Sequence, residues 1–370
     1  MRNAADILVI GGGIVGTSIA WGLARRGCRV GVLDEGDDAF RAARGNFGLI
    51  WVQGKGPKSP PYATWTRRAA LAWPQFAATL QEETGIDLHY QQRGGFHLCL
   101  SEAELADARA SMAAIAVDLD APYEYEILDA AATRQRLPGA GPQVLGAVFC
   151  PRDGQISPLR LLRALFAALA ARGAVVQSGA AVQAIRAEGR GFVVESSRGR
   201  FAAERLVLAA GLGNRWLAPL VGLEAPVQPQ RGQVLITERL APLLDFPTMQ
   251  VRQTGEGTVQ IGDTQEWAGF DDGITHRGLG AMAARALACF PALGRAKVVR
   301  SWGALRVMTP DGLPIYEASA THPKAFLMTC HSGITLAANH AGPTCDWLMG
   351  EVPPPEMAAF TTERFHVSAP

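Results

Sequence analysis

Gly11, Gly13 and Gly16 stand in the spacing G-x-G-x-x-G, and an acid, Asp34, follows with Glu35 beside it. Those residue types in that order can hold a dinucleotide. The first glycine permits a tight turn, the second lets backbone approach a pyrophosphate, and the third permits close helix–strand packing. A helix that begins behind them, at Ile14 and Val15, offers free N–H groups and a positive dipole to the phosphates. Asp34 lies roughly twenty residues downstream, where a carboxylate accepts bonds from both ribose hydroxyls. No arginine stands there to receive a 2′-phosphate.

Glycine-rich turns also close structure without binding anything, so the elements around the glycines decide. The stretch ILVIGGGIVGTSIAWGLA, residues 7–24, is uncharged, but glycines interrupt its middle and Asp6 precedes it. It is therefore expected to be neither a secretory leader nor a membrane span. Periodicity changes inside it: 7–10 predict a short buried strand, 14–26 a helix ending at Gly27, and 29–33 a second strand ending at Asp34. Strand, turn, helix and distal acid together supply the context that the glycines alone lack.

Composition narrows the function. Hydrophobic residues make up 48% and charged residues 19%, and 35 basic against 34 acidic side chains leave a net charge of +1 without long charged blocks. No electrostatic footprint for nucleic acid or anionic lipid results. The six cysteines are dispersed, with no C-x-x-C, and the histidines form no H-E-x-x-H, so no metal site is expected. Reduced, mostly buried thiols in a cytoplasmic protein are the expectation.

Beyond Asp34, the run EGDDAFRAARGNFGLIWVQGKG sets Arg41, Arg44, Asn46, Gly48 and Leu49 in a loop too glycine-rich for regular structure. Basic and amide donors followed by small residues can clamp the outer side of a pyrophosphate and run along a flavin ring. A solvated loop is the alternative.

The chain resembles the FAD-dependent amino-acid oxidases and dehydrogenases, the group that includes glycine oxidase, sarcosine oxidase and D-amino-acid dehydrogenases. The resemblance rests on ILVIGGGIVGTSIA and VLDEG, DGQISP at 153–158, LVLAAG at 206–211 and PQRGQ at 229–233. It continues through WGALRVMTPDGLPIYE at 302–317, HSGITLA at 331–337 and a terminal Arg364-Phe365. NFGLIWVQGKG and CHSGITLAANHAG are most similar to FAD-carrying β subunits of multisubunit bacterial dehydrogenases for D-hydroxyproline, opines or proline. That likeness implies FAD in this chain and partner subunits with further redox centres, a second flavin or an iron–sulfur cluster.

The resemblance also implies chemistry: the Cα–H of a small amino acid or secondary amine is aimed at flavin N5, and hydride transfer gives the imine. Such a site needs positioning more than a strong base. Arg306, in SWGALR, is the expected carboxylate clamp through its bidentate fork, with an ion pair to Asp311 as the structural alternative. Gly333, Ile334 and Thr335 are expected to open a helix whose amides meet the flavin C2 carbonyl. His331 is a secondary candidate to hydrogen-bond substrate or flavin, with a structural role as the alternative; Gln53 and Lys55 are candidates to face substrate, oxygen, a second cofactor or a neighbouring subunit, with solvation as the alternative. Val182, Ala210, Gly211 and Gly303 complete the expected FAD contacts. Arg231 reads as a strand-entry salt bridge, with substrate contact as the alternative.

The expected fold is of the α/β class, α+β overall. Residues 1–88, 142–222 and 301–370 would form a Rossmann-like FAD-binding domain, and 89–141 with 223–300 a discontinuous, mostly antiparallel substrate-binding domain. Within these, 157–172 and 275–290 predict helices, 174–176, 192–195 and 206–210 predict strands, and Gly255-Glu256-Gly257 predicts a hairpin. The strand around TMQVRQ, 248–253, lacks the tyrosine that glycine oxidases tend to place there, which points away from glycine or sarcosine to a different or larger amino acid. Two other readings stay open: a stand-alone oxidase that uses O2, and a flavin subunit that only relays electrons. A disulfide reductase is disfavoured, since Gly211-Leu212-Gly213 lacks the third glycine and there is no redox cysteine pair.

Overall fold

The computed structural model describes residues 4–36, 42–117 and 123–366. Its largest sheet has eight strands. Five run parallel, in the order Ala325–Thr329, Gly199–Leu208, Ala4–Ile10, Val30–Asp34 and Val175–Ser178. Ile315–Ala318 adds an antiparallel edge, and the hairpin Val182–Glu188 with Gly191–Ser196 is laid against the first half of Gly199–Leu208. The central strands read as apolar runs because both faces are covered. On one face the helices Ile14–Arg25, Pro60–Thr84 and Pro158–Ala171 bury Trp21, Trp65 and Trp73 with Ile7, Val9 and Leu165. On the other face Leu8, Ile10, Leu206 and Leu208 pack with Phe192 and Val194.

A second body is antiparallel. Its four-stranded sheet runs Val251–Gln253, Thr258–Ile261, Gln228–Arg239, Val298–Met308. The helix His276–Cys289 backs one face through Leu235, Val259, Ile261, Met282 and Ala286. A three-stranded sheet, Gly95–Cys99, Gly146–Cys150 and Glu126–Asp129, joins the same core through Phe96 and Phe149.

The nucleotide-type turn folds as its residues require. Gly11 follows the first strand at φ 114°, and Gly16 packs so closely that a Cβ there would lie 1.9 Å from the Gly11 carbonyl oxygen. The helix stops at Arg25, one residue earlier than its periodicity predicts, because Arg26 already leaves helical geometry and Gly27 turns to φ 84°. Ser157 and Thr275 cap the two predicted helices at their N-termini. The longest helix, Pro60–Thr84, falls outside those expectations: it opens on Pro60-Pro61 and contains Pro74, residues that read as breakers. Two expected domain boundaries also fall elsewhere in the ladders. Val298–Met308 pairs along its length with Gln228–Arg239, across the expected division at 300/301, and Gly146–Cys150 pairs with strands of the antiparallel body.

All six cysteines are free thiols, five of them buried. Among the described residues no helix is long and apolar enough to cross a membrane.

Gly16→Ala should lower stability by about 1–3 kcal/mol or more, since the methyl meets rigid backbone. A urea melt would show it as a lower midpoint at unchanged slope. Gly280→Ala, on an open helix surface where a Cβ meets nothing within 4 Å, should be neutral or stabilising. Equal losses in the two variants would dismiss close packing as the reason for Gly16.

Candidate active site

A long cleft opens at the C-terminal ends of the parallel strands, with ≈ 1510 Å³ of empty space counted together with its mouth. Gly11, Gly12 and Gly13 form its floor, and Ile14 and Val15 begin the helix that points at it. Asp34 stands at the end of the second strand, where its carboxylate accepts from the Gly12 N–H at 2.7 Å and the Gly36 N–H at 3.1 Å. Glu35, Arg44 and Asn46 line the same cleft, as do Val182, Ala210 and Gly211 on the facing wall. At its inner end are His331, Gly333 and Ile334. Gly333 sits over the helix start, its missing Cβ 3.3 Å from Val15.

Bare glycine backbone, a ribose-height carboxylate and a cleft of this length fit the adenosine and pyrophosphate half of a dinucleotide. Gly11–Val15 would hold the phosphates and Asp34 the ribose, as the fold rule for this crevice requires. The sequence did not single out Ala42, Ala43, Phe166, Trp216 or Phe270, which also line it. Ala42, Ala43 and Phe270 stand in turns without a periodic signal, and Phe166 and Trp216 are helical residues of types that usually read as core.

Other expected contacts lie outside the lining. Gly16 is behind the turn, in contact with Gly11. Gly48, at φ 89°, donates its N–H to Asn46 Oδ1 at 2.7 Å, and Leu49 pairs with Gln155 in a two-stranded ladder. Thr335 is buried, where its hydroxyl accepts from the Trp51 N–H at 3.1 Å and its carbonyl from Trp73 Nε1 at 2.9 Å. Gly303 lies on the sheet face turned toward the Asp272 carbonyl. Arg41 lies outside the described residues. The helix expected from Gly333 begins only at Ala337; residues 333–336 form turns, held by the Leu336 N–H donating to the Ser332 carbonyl at 3.0 Å.

Beside the inner end, three side chains from distant parts of the chain come together. Lys55 Nζ donates to Ser332 Oγ at 2.9 Å, and the Tyr62 hydroxyl shares that oxygen at 2.8 Å. Loss of water around Lys55 pulls its ammonium down to about 8, and the Arg306 guanidinium contributes to the same fall. His331 is held well below its ordinary value by desolvation first and by the charges of Lys55 and Arg306 second, so its imidazole is neutral. Arg306 reaches this group from Val298–Met308. Its acid partner is Asp263, and Nη1 also donates to the Thr264 carbonyl at 2.8 Å. Asp311, the alternative partner weighed from sequence, pairs with Arg364 at 2.7 Å.

Gln53 points elsewhere: its amide donates to Asp153 Oδ2 at 2.6 Å and the Gly95 carbonyl at 3.1 Å. Asp153 is fully buried, and desolvation raises it to about 7 although the Val52 N–H and Gln53 stabilise its charge. Arg231 pairs with Glu266 and Asp271. Among the described residues no group of three or more His, Cys, Asp or Glu side chains could hold a metal ion.

Comparison with known proteins agrees with this geometry. The family model described as DAO, FAD dependent oxidoreductase, matches residues 6–347. The chain is 43% identical over 363 residues to a subunit of the opine oxidase of Agrobacterium tumefaciens (strain Ach5), covering 98% of each. It is 29% identical over 347 residues to glycine oxidase of Geobacillus kaustophilus (strain HTA426), covering 92% of this chain and 89% of that one. The crystal structure of glycine oxidase from Geobacillus kaustophilus superposes with a TM-score of 0.88 at 26% identity, over 97% of this chain and 98% of the other. The glycine turn, the Asp34 carboxylate and a match spanning nearly the whole chain lead to one assignment: this protein belongs to the FAD-dependent oxidoreductase family, with FAD as its cofactor.

Proposed function

We propose that this chain oxidises an opine-class secondary amine to its imine, as the catalytic FAD-carrying subunit of a multisubunit dehydrogenase. The observation that carries the reading is the meeting of Arg306, Lys55 and neutral His331 beside the inner end of the FAD cleft. The 43% identity to a protein named as one subunit of an opine oxidase supports the substrate class and the subunit role. In this reading the body built on the eight-stranded sheet holds FAD, and the antiparallel body covers the substrate.

When bound, FAD supplies the hydride acceptor for the substrate Cα–H. The chain supplies the positioning. Arg306 offers its fork to a substrate carboxylate, and Lys55 adds a second positive charge nearby. Two cations in a desolvated site disfavour a third, so the amine enters as its free base, the form that can be oxidised. His331, uncharged, can donate or accept without adding to that field. The Ser332 hydroxyl fixes Lys55 relative to the turn that carries His331.

The first test is anaerobic mixing of the FAD-loaded chain with opines, proline, hydroxyprolines, glycine and sarcosine while flavin absorbance is followed. Bleaching by opines is expected; bleaching by glycine alone would replace the reading with a glycine oxidase, and no bleaching by any of them would leave an electron relay. Arg306→Ala should raise KM at least ~30-fold with FAD retained, as expected for loss of a charge-assisted pair. Unchanged substrate kinetics would remove Arg306 from the site.

Acidity gives a further check. Lys55 loses its charge as pH rises through about 8, so kcat/KM for carboxylate substrates should fall above that point. Lys55→Met should abolish this limb; its persistence would assign it to another group. Stability moves the other way: between about 8 and the ordinary 10.5 the unfolded chain holds a proton that the native one lacks, so stability rises with pH across that window.

A further inference from the structure

Arg252 is a guanidinium buried to 3% exposure with no carboxylate partner among the described residues. The other well-buried arginine, Arg231 at 6%, holds two acids, and half-buried Arg285 holds Glu104. Arg252 has one long contact from Nη1 to Gln155 Oε1 at 3.5 Å, an Nε without a partner, and the Phe47 ring 5.6 Å away. Desolvation pulls it down to about 9, and Glu256 opposes this only at a distance. A buried, unpaired guanidinium is costly unless an anion joins it.

Its position says which anion. Arg252 pairs in register with Gln260, Gln260 with Ile236, and Ile236 with Arg300. Arg306 is six residues beyond Arg300 on the same uninterrupted strand, so Arg252 and Arg306 rise from the same sheet face. That face is opposite the helix His276–Cys289 and looks onto the loop that crosses it: Trp302 Nε1 donates to the Gly45 carbonyl at 3.2 Å, and Phe47 lies beneath Gly262. Gly48 ends the crossing; a Cβ there would stand 2.8 Å from Arg252 Nη2. Gln260 Oε1, the next side chain in the row, is buried and unpartnered. A second cation and an unpartnered amide oxygen therefore stand on the same sheet face as Arg306.

We propose that Arg252 binds a second carboxylate of the substrate, on the N-substituent opposite the one whose carboxylate meets Arg306. The preferred substrate is then a secondary amine with a carboxylate on each side of the nitrogen. This rests on the amine-oxidising reading above, and it separates such diacids from glycine and proline, which have one carboxylate to offer.

The test uses the FAD-loaded chain and two substrates: an N-(1-carboxyethyl) amino acid and the same compound with its carboxyethyl acid converted to the amide. Wild-type kcat/KM should favour the diacid by ~10- to 100-fold, the range of a charge-assisted hydrogen bond. Arg252→Gln should reduce that preference to within a few-fold, with Arg306 still discriminating at the other carboxylate. Equal use of acid and amide by the wild type, or an unchanged preference in Arg252→Gln, would overturn the proposal. If neither amine reduces the flavin, the proposed function fails by itself. Calorimetric binding of an ether diacid, with oxygen in place of the nitrogen, then decides on Arg252: binding lost in Arg252→Gln sustains it, and equal binding overturns it.

Discussion

The structure depends on a stretch of backbone that must remain bare. Gly11 lies against the Ala209 carbonyl and Gly16 against that of Gly11, so the first strand can pass straight into a helix whose amides stay uncovered. Any side chain on either residue would push the helix from the sheet or fill the place of the phosphates. The parallel order of the large sheet follows from the same demand, since it brings Gly199–Leu208 beside the first strand and ends both at one crevice. The cleft is thus a consequence of strand register as much as of loop chemistry.

What the sequence made legible is what local periodicity and turn chemistry encode. The glycine turn, Asp34, the helices capped by Ser157 and Thr275 and the hairpin at Gly255–Gly257 each announce themselves within a few residues. Lys55 could be suspected but not paired, because its contact, Ser332, is 277 residues away. Arg252 was illegible for a related reason. A charged residue in a strand reads as solvent-facing, and only the register of four strands shows that its side chain faces inward. The strand lacking the expected tyrosine does contain that arginine, a substitution whose sense appears only with the sheet.

The antiparallel body manages its charges unevenly. Arg231, on the helix-backed side, is neutralised by Glu266 and Asp271, whose carboxylates are set by Gln233, Thr264 and the turn at Gly273. On the side facing the loop at 42–50, positive charge is left in excess. Structural arginines and candidate binding arginines therefore divide by sheet face, a distinction that counting charged residues along the chain does not reveal.

The Arg306–Asp263 pair has a consequence for how an anion arrives. Because the guanidinium already has a resident carboxylate, an incoming one trades places with it and does not fill a bare positive site. The exchange leaves Asp263 to find another donor, and Lys55, whose charge Asp263 supports, is within its field. Occupancy of the site would then be sensed at the lysine as a change in its own counter-charge.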